Sequence, residues 1–479
     1  MNKELKRVSI AVLLMFIALF CSGTFITVFQ ADELNADNRN ARTLYDSFSA
    51  ERGPLLVDGT PIAESVPVDD DFKFLRTYSN PELYAPVTGY FTLNQGNAGI
   101  EGSMNEVLSG TADSQFLDQL NSILTGKSPK GAAVELTIDP VVQQAAWDAL
   151  GDRTGAVIAL DPKTGAILAM VSKPSYDPNL LASHDTSAVI DAYNQLLATP
   201  GNPLFNRTIS GDLYHPGSVF KPLVAAAALD SGQFTPETTV PNPQSLQLPQ
   251  SDSVIFNANR STCGGGEEVS LADALRMSCN IPFAQIGAQL GDDLIAQYAS
   301  EFGYGKRIEV PMTASASSYP KDMDAPQVML SSFGQYDVRV TPLQVAMTTA
   351  AIANGGKLMQ PTLVESVIAP DLTVLEPFQA EVFSEPISAQ TAATLTAMMV
   401  NNVSNGAASS ARISGVEVGG KTGTAQSIEG TANTLWFTGF APAGDPQIAV
   451  AVVVENESGF GDSVASPIAR KVIEAVLNK

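Results

Sequence analysis

The chain opens on an uncharged, mostly apolar run over residues 8–29, preceded by Lys3, Lys6 and Arg7. About 22 residues of this kind are enough to cross a hydrocarbon core as a helix. Basic residues before the run and Asp32, Glu33 and Asp37 after it predict a cytoplasmic amino end and an extracytoplasmic bulk. A cleaved signal peptide is the competing reading, but the stretch is long and no small-x-small cleavage site follows it cleanly. Phe20 before Cys21 is too bulky for a lipidated cysteine. The expected organisation is a cytoplasmic tail over 1–7 and a transmembrane anchor over 8–29.

From 30 to 131 the pattern is mixed and polar, with weak periodicity. Arg52-Gly53-Pro54-Leu55 starts an extended stretch. Tyr84-Ala85-Pro86-Val87-Thr88-Gly89-Tyr90 reads as strand and turn, and Gly99-Ile100-Glu101-Gly102 as another turn. Ser128-Pro129-Lys130-Gly131 marks a boundary. No nucleophile–base spacing occurs here, so a β-rich, non-catalytic pedestal is expected over 30–131.

The periodicity sharpens from 132 onward. Residues 133–138 alternate as a strand and 140–150 read as a helix. Two apolar strands, 155–160 and 166–171, flank the hairpin connection Asp161-Pro162-Lys163-Thr164-Gly165. A largely helical middle follows, with a Pro-rich surface loop at 236–250 and a helix capped by Ser270. Residues 435–442 and 448–454 are strongly β in character, and 468–477 form an amphipathic helix. Strands at both ends of a helical insert predict an α+β domain over 132–479, with one antiparallel sheet built from both ends and a mostly helical subdomain.

Three short motifs carry candidate chemistry. Ser218 and Lys221 stand three apart in Tyr214-His215-Pro216-Gly217-Ser218-Val219-Phe220-Lys221, at the first turn of a predicted helix. Residues so spaced share a face, so the ammonium can reach the hydroxyl, and a lysine lowered by burial or a cationic neighbour can take its proton. Pro222 is tolerated because a first-turn N–H has no intrahelical partner. Residues 223–229 are almost entirely Ala, Val and Leu, which predicts a helix buried all round. Ser278-Cys279-Asn280 and Lys421-Thr422-Gly423-Thr424 follow in that order. Taken singly, each has a bland reading: a chance spacing, a polar loop, a glycine-bearing edge strand.

Together, Ser-x-x-Lys, Ser-x-Asn and Lys-Thr-Gly form the active-site set of the penicillin-recognising serine acyltransferases. Asn206-Arg207, Thr341-Pro342-Leu343-Gln344, Ala353-Asn354-Gly355-Gly356 and Trp436-Phe437-Thr438-Gly439-Phe440 also resemble penicillin-binding transpeptidase domains. The anchor, Arg52-Gly53 and Gly99-Ile100-Glu101 resemble the early part of class B penicillin-binding proteins, most similar to a compact actinobacterial subgroup. Two departures stand out. The usual Arg-Gly-x-Ile-x-Asp-Arg pattern is degenerate, and Gly334-Gln335-Tyr336 stands where a second glycine is common.

The resemblance implies a peptidoglycan D,D-transpeptidase that is acylated by penicillin. Ser218 would be the nucleophile, Lys221 its base, Ser278 a proton relay, Asn280 a holder of Lys221, and Lys421 the source of positive potential. Thr422, Gly423 and Thr424 would bind the terminal carboxylate of the stem peptide. It also implies β-lactam antibiotics as ligands and, as a partner, a membrane glycan polymerase of the shape, elongation, division and sporulation family. Two alternatives stay open. A serine β-lactamase-like hydrolase would need a water-activating base, and no Glu-x-x-Leu-Asn lies between Ser278 and Lys421. A catalytically idle cell-wall scaffold or sensor would keep the motifs without using them.

Composition narrows the partners. A net charge of −23 argues against nucleic acid as a partner. Cys263 and Cys279 fall in the exported part, where disulfides persist, and a bond between them is possible. Two histidines and three cysteines show no metal-ligand spacing, so no metal or cofactor is expected.

Overall fold

A computed structural model of the chain describes residues 3–26, 30, 48, 50–115, 130–426 and 433–479. The acidic flank at Asp32, Glu33 and Asp37, residues 27–29 of the apolar run, and Ser128-Pro129 of the boundary lie outside the described residues. Helix α1 (Lys3–Thr24) presents an exposed apolar surface throughout and is long and apolar enough to span a membrane. It begins earlier than the apolar run, taking in the basic residues.

The next structured part centres on a sheet of β1 (Leu55–Val57), β2 (Thr60–Pro67) and β3 (Phe74–Tyr78). Two segments here depart from expectation. The stretch read as strand and turn is helix α2 (Pro81–Thr88), and Gly99–Ser103 form the short helix α3 rather than a turn. The aromatic and β-branched residues of α2 mimic a strand, yet Pro81 sits in its first turn and Tyr84, Ala85 and Val87 bury one after another. Pro86 inside α2 deprives the Glu82 carbonyl of its helical donor. The Ser175 hydroxyl donates to that carbonyl at 2.6 Å instead.

Strand β4 (Ala133–Leu136), expected to open the catalytic domain, pairs parallel with β1, Leu55 opposite Val134. Strands β8 (Val364–Ile368) and β9 (Val374–Pro377), from far along the chain, complete this six-stranded sheet in the order β9-β8-β4-β1-β2-β3. The amino-terminal part is therefore stitched into the later chain by backbone pairing, not joined to it by a linker alone.

The second sheet is the one anticipated from both ends of the domain. Its order is β10 (Gly419–Gln426), β11 (Asn433–Ala441), β12 (Ile448–Glu457), β5 (Gly155–Leu160), β6 (Ile167–Lys173), antiparallel throughout. Along β12, Ala449, Ala451 and Val453 join one hydrophobic cluster while Val450, Val452 and Val454 join the other. Both faces are covered, which is why the strand reads as one apolar run rather than alternating. Helices α4 (Pro140–Leu150) and α9 (Gly461–Leu477) cover one face. The other faces helix α7 (Pro342–Ala353), buried along nearly its whole length, and the helical subdomain. Helix α9 starts earlier than the 468 expected, and the Pro-rich stretch 236–250 carries two short strands.

At the centre of the helical side lies α5 (Lys221–Asp230), buried from Lys221 to Ala228. Around it run α6 (Asn280–Leu290) and α8 (Ala389–Asn405). The site lies where these helices meet the edge strand β10.

Candidate active site

Ser218 sits in a 3₁₀ turn, Gly217–Phe220, that runs directly into α5 at Lys221. Gly217 is left-handed at φ 54°, and its N–H donates to the Gly334 carbonyl at 2.9 Å. A Cβ on Gly334 would lie 2.0 Å from the Gly217 oxygen, and one on Gly217 would lie 2.9 Å from the Thr424 oxygen. The turn is thus wedged between the 330–336 loop and β10, with no room for side chains on that side. Its approach is held too. The Trp436 indole donates to the His215 carbonyl at 3.1 Å, and Glu455 accepts from the Arg207 Nε at 2.9 Å and from the Tyr214 hydroxyl. His215 itself is a loop residue lying against Arg339.

Both motif lysines are fully buried. Lys221 Nζ donates to the Ser278 carbonyl at 2.8 Å and to Asn280 Oδ1 at 2.9 Å. Lys421 Nζ donates to Ser278 Oγ at 2.7 Å and to the Thr422 carbonyl at 2.8 Å. Burial pushes Lys421 down to about 7. Burial first, and the charge of Lys421 second, hold Lys221 well below the ordinary lysine value. A neutral amine has two N–H groups, and at Lys221 both have acceptors. Its lone pair is left for a proton from elsewhere, and Ser218 is three residues away on the same turn.

The Ser278 backbone is left-handed at φ 61°, a conformation costly for a side-chain-bearing residue and held here by its surroundings. Cys279 is disulfide-bonded to Cys263, and Asn242 brackets Cys263 through its N–H and carbonyl at 2.8 and 2.9 Å. Asn257 Oδ1 accepts from the N–H groups of Asn280 and Ile281 at 2.9 and 3.1 Å, serving orphan donors at the start of α6. Asn280 Nδ2 donates to the Phe256 carbonyl at 3.1 Å, so both ends of its amide are engaged.

On β10, Thr422 Oγ1 donates to the Ala407 carbonyl at 3.2 Å, and Thr424 Oγ1 accepts from the Gly461 N–H at 3.3 Å. Ser218, Ser278, Asn280, Thr422, Gly423 and Thr424 line one cleft of about 970 Å³. The two lysines lie beneath its lining. All eight residues singled out from the sequence are therefore gathered here. The sequence reading missed Asn257, Glu455 and the packing role of Gly334. The irregular Gly334-Gln335-Tyr336 was the one visible signal. Asn257 sits in a short polar loop whose neighbours carry no periodicity.

A family model described as the penicillin binding protein transpeptidase domain matches residues 155–474, and one described as the penicillin binding protein A dimerisation domain matches 52–134. The chain is 42% identical to the peptidoglycan D,D-transpeptidase PbpA of Mycolicibacterium smegmatis, covering all of both chains. It is 40% identical to the protein of that name from Mycobacterium tuberculosis, covering 100% of this chain and 99% of the relative. Among solved structures, penicillin-binding protein A from M. tuberculosis as a ceftriaxone acyl-enzyme complex superimposes with a TM-score of 0.87 at 39% identity, over 90% of this chain and all of that one. Its penicillin G acyl-enzyme complex gives 0.85 at 39% identity, over 89% and 100%. With the motifs converging on one cleft and these matches along its full length, the chain belongs to the class B penicillin-binding proteins, among the relatives of mycobacterial penicillin-binding protein A.

Proposed function

We infer that this chain is a peptidoglycan D,D-transpeptidase working through an acyl-enzyme on Ser218. The observation that carries the reading is the pair of buried lysines joined through Ser278, which shares one cleft with Ser218. Ser218 gives its proton to Lys221 and its Oγ bonds to the carbonyl carbon of the penultimate D-alanine of a stem peptide. The backbone N–H groups of Ser218 and Thr424 receive the developing oxyanion. Ser278 passes a proton to the leaving nitrogen, the C–N bond breaks, and the terminal D-alanine departs. Lys421, protonated, polarises Ser278 and with Thr422 and Thr424 draws the terminal carboxylate. An amine from a neighbouring stem then attacks the ester, forms the amide cross-link, and returns the proton to Ser218. Penicillin takes the place of the D-alanyl-D-alanine end and leaves Ser218 esterified.

Within this reading, α1 is a single-pass anchor with its basic amino end in the cytoplasm and the cleft outside. The domain division is 1–7, 8–29, 30–131 and 132–479. The span and pedestal form the contact surface for a membrane glycan polymerase of the shape, elongation, division and sporulation family, a reading by analogy.

The test is intact mass of the full chain in detergent after exposure to penicillin, for wild type and Ser218→Ala. One stable drug adduct per chain, absent in the variant, is expected. Drug consumed without a lasting adduct points to a hydrolase. Neither adduct nor consumption points to a scaffold.

A further inference from the structure

The proposed reaction explains the floor of the cleft but not its rim. Phe256, Tyr336 and Phe460 line it with exposed aromatic rings, and one basic side chain, Arg260, stands among them. In a chain with 50 acidic and 27 basic residues, arginines find carboxylates readily. Arg52, Arg76, Arg207 and Arg276 each do so. Arg260 does not. Among the described residues its guanidinium meets no carboxylate, and it lies 5.0 Å from the centre of the Phe256 ring.

That cation is not on a loose loop. Arg260 is left-handed at φ 52°, and its N–H donates to the Asn257 carbonyl at 2.9 Å. Asn257 Nδ2 donates to the Ser261 carbonyl at 3.0 Å, while its Oδ1 holds the Asn280 and Ile281 N–H groups. Phe256, over which the guanidinium lies, takes the Asn280 side-chain amide on its own carbonyl. Two residues beyond Ser261 the chain is bonded through Cys263 to Cys279, inside the Ser-x-Asn motif. One framework therefore fixes both a catalytic side chain and the rim cation. A guanidinium lying over an aromatic ring still has N–H donors to offer a carboxylate.

We propose that Arg260 is a specificity residue of this enzyme: it recognises a carboxylate on the acyl donor upstream of the D-alanyl-D-alanine end, so that stems with a free acid there are preferred to stems with a carboxamide. The proposal rests on the acyl-transfer reading above. The terminal carboxylate goes to the Lys421 side of the cleft, so Arg260 reads a second anionic group, with Phe256 and Tyr336 lining the same cleft. An exposed guanidinium makes a charge-assisted pair with the carboxylate donor and only a weaker neutral contact with the carboxamide, so the carboxylate is preferred.

The experiment uses the full chain in detergent and two synthetic pentapeptide donors ending in D-alanyl-D-alanine, identical except for a side-chain carboxylate or carboxamide on the third residue. The readout is kcat/KM for D-alanine release, which reports the donor steps alone. Wild type is expected to prefer the carboxylate donor by about tenfold, the scale of a part-exposed charge-assisted pair. Arg260→Gln is expected to collapse that ratio to near one, mainly through KM, and Arg260→Lys to retain part of it. A ratio unchanged in Arg260→Gln overturns the proposal. So does an equal fall for both donors, which would mark Arg260 as a prop for the loop, and so does a wild type without preference. Benzylpenicillin acylation of Ser218 is followed in parallel. Its failure in wild type would bring down the acyl-transfer reading itself, whereas a normal adduct with no donor preference fails this proposal alone.

Discussion

The proposed chemistry turns on two lysines with different tasks. Lys221 must be neutral to accept the Ser218 proton, and Lys421 must be charged to polarise Ser278. Burial lowers both, and the charge of Lys421 lowers Lys221 further. The signs give opposing limbs. As pH rises, Lys221, held well below its ordinary value, loses its proton and acylation increases. As pH passes through about 7, Lys421 loses its charge and acylation declines. Penicillin acylation followed across pH is therefore expected to be bell-shaped, with apparent values that belong to the pair. A profile flat through neutrality would count against this division of labour. Lys221→Ala should slow acylation by about 10²–10⁴-fold, the usual worth of a positioned base, while leaving the thermal midpoint near wild type or higher, since a buried amine is removed. Stopped-flow acylation and a thermal melt on the same sample separate the two. The serine–lysine spacing was legible along the chain. The direction of the lysine N–H groups was not, because Ser278, in the turn before α6, and Asn280, at its start, reach them from a distant part of the chain.

Elements, in turn, are held by polar groups that local pattern does not reveal. Glu101 in α3 is fully buried, with Arg52 Nε on one oxygen and Arg76 Nε on the other, each at 2.6 Å. Burial alone would raise this carboxyl, yet the two guanidiniums outweigh it and hold it below its ordinary value. Glu101→Gln should destabilise the amino-terminal sheet by about 3–5 kcal/mol, because two buried cations lose their counter-charge. Chemical denaturation of the full chain would detect it, and a loss under about 1 kcal/mol, that of a surface pair, would refute it. At α6 the corresponding element is Asn257. Asn257→Ala leaves two first-turn N–H groups without an acceptor and should lower stability by about 1–2 kcal/mol. It should also slow acylation, since Asn280 loses the support that aims it at Lys221. Unchanged acylation would show that the disulfide at Cys279 holds the motif by itself. Arg52 and Glu101 could be picked out in the sequence, but α2 and α3 were misread. Local β character there yields to burial against β6, and the defect of Pro86 is mended only by Ser175, which is remote in sequence.

Across the whole molecule, two sheets divide the work. The five-stranded sheet carries β10 as the wall of the cleft, and the six-stranded sheet joins the amino-terminal part to β8 and β9 of the later chain. Paired backbone thus joins the amino-terminal part directly to the later chain. Replacing α1 with an unrelated span is expected to leave penicillin acylation unchanged while producing a growth or shape defect in cells that depend on this chain. Normal growth would count against a polymerase contact through the span. By itself, the sequence determined the features written in contiguous residues: the apolar amino-terminal helix, the buried helix after Ser218, the paired strands 155–160 and 166–171, and the candidate catalytic residue types. These rest on local periodicity, on charge, and on chemistry that few side chains can supply. Tertiary structure alone decided which cation meets which acceptor, that β4, β8 and β9 complete the first sheet, and that Arg260 stands over Phe256 at the rim. Each of these depends on groups distant in sequence brought within hydrogen-bonding or van der Waals range, and no short window of sequence contains that information.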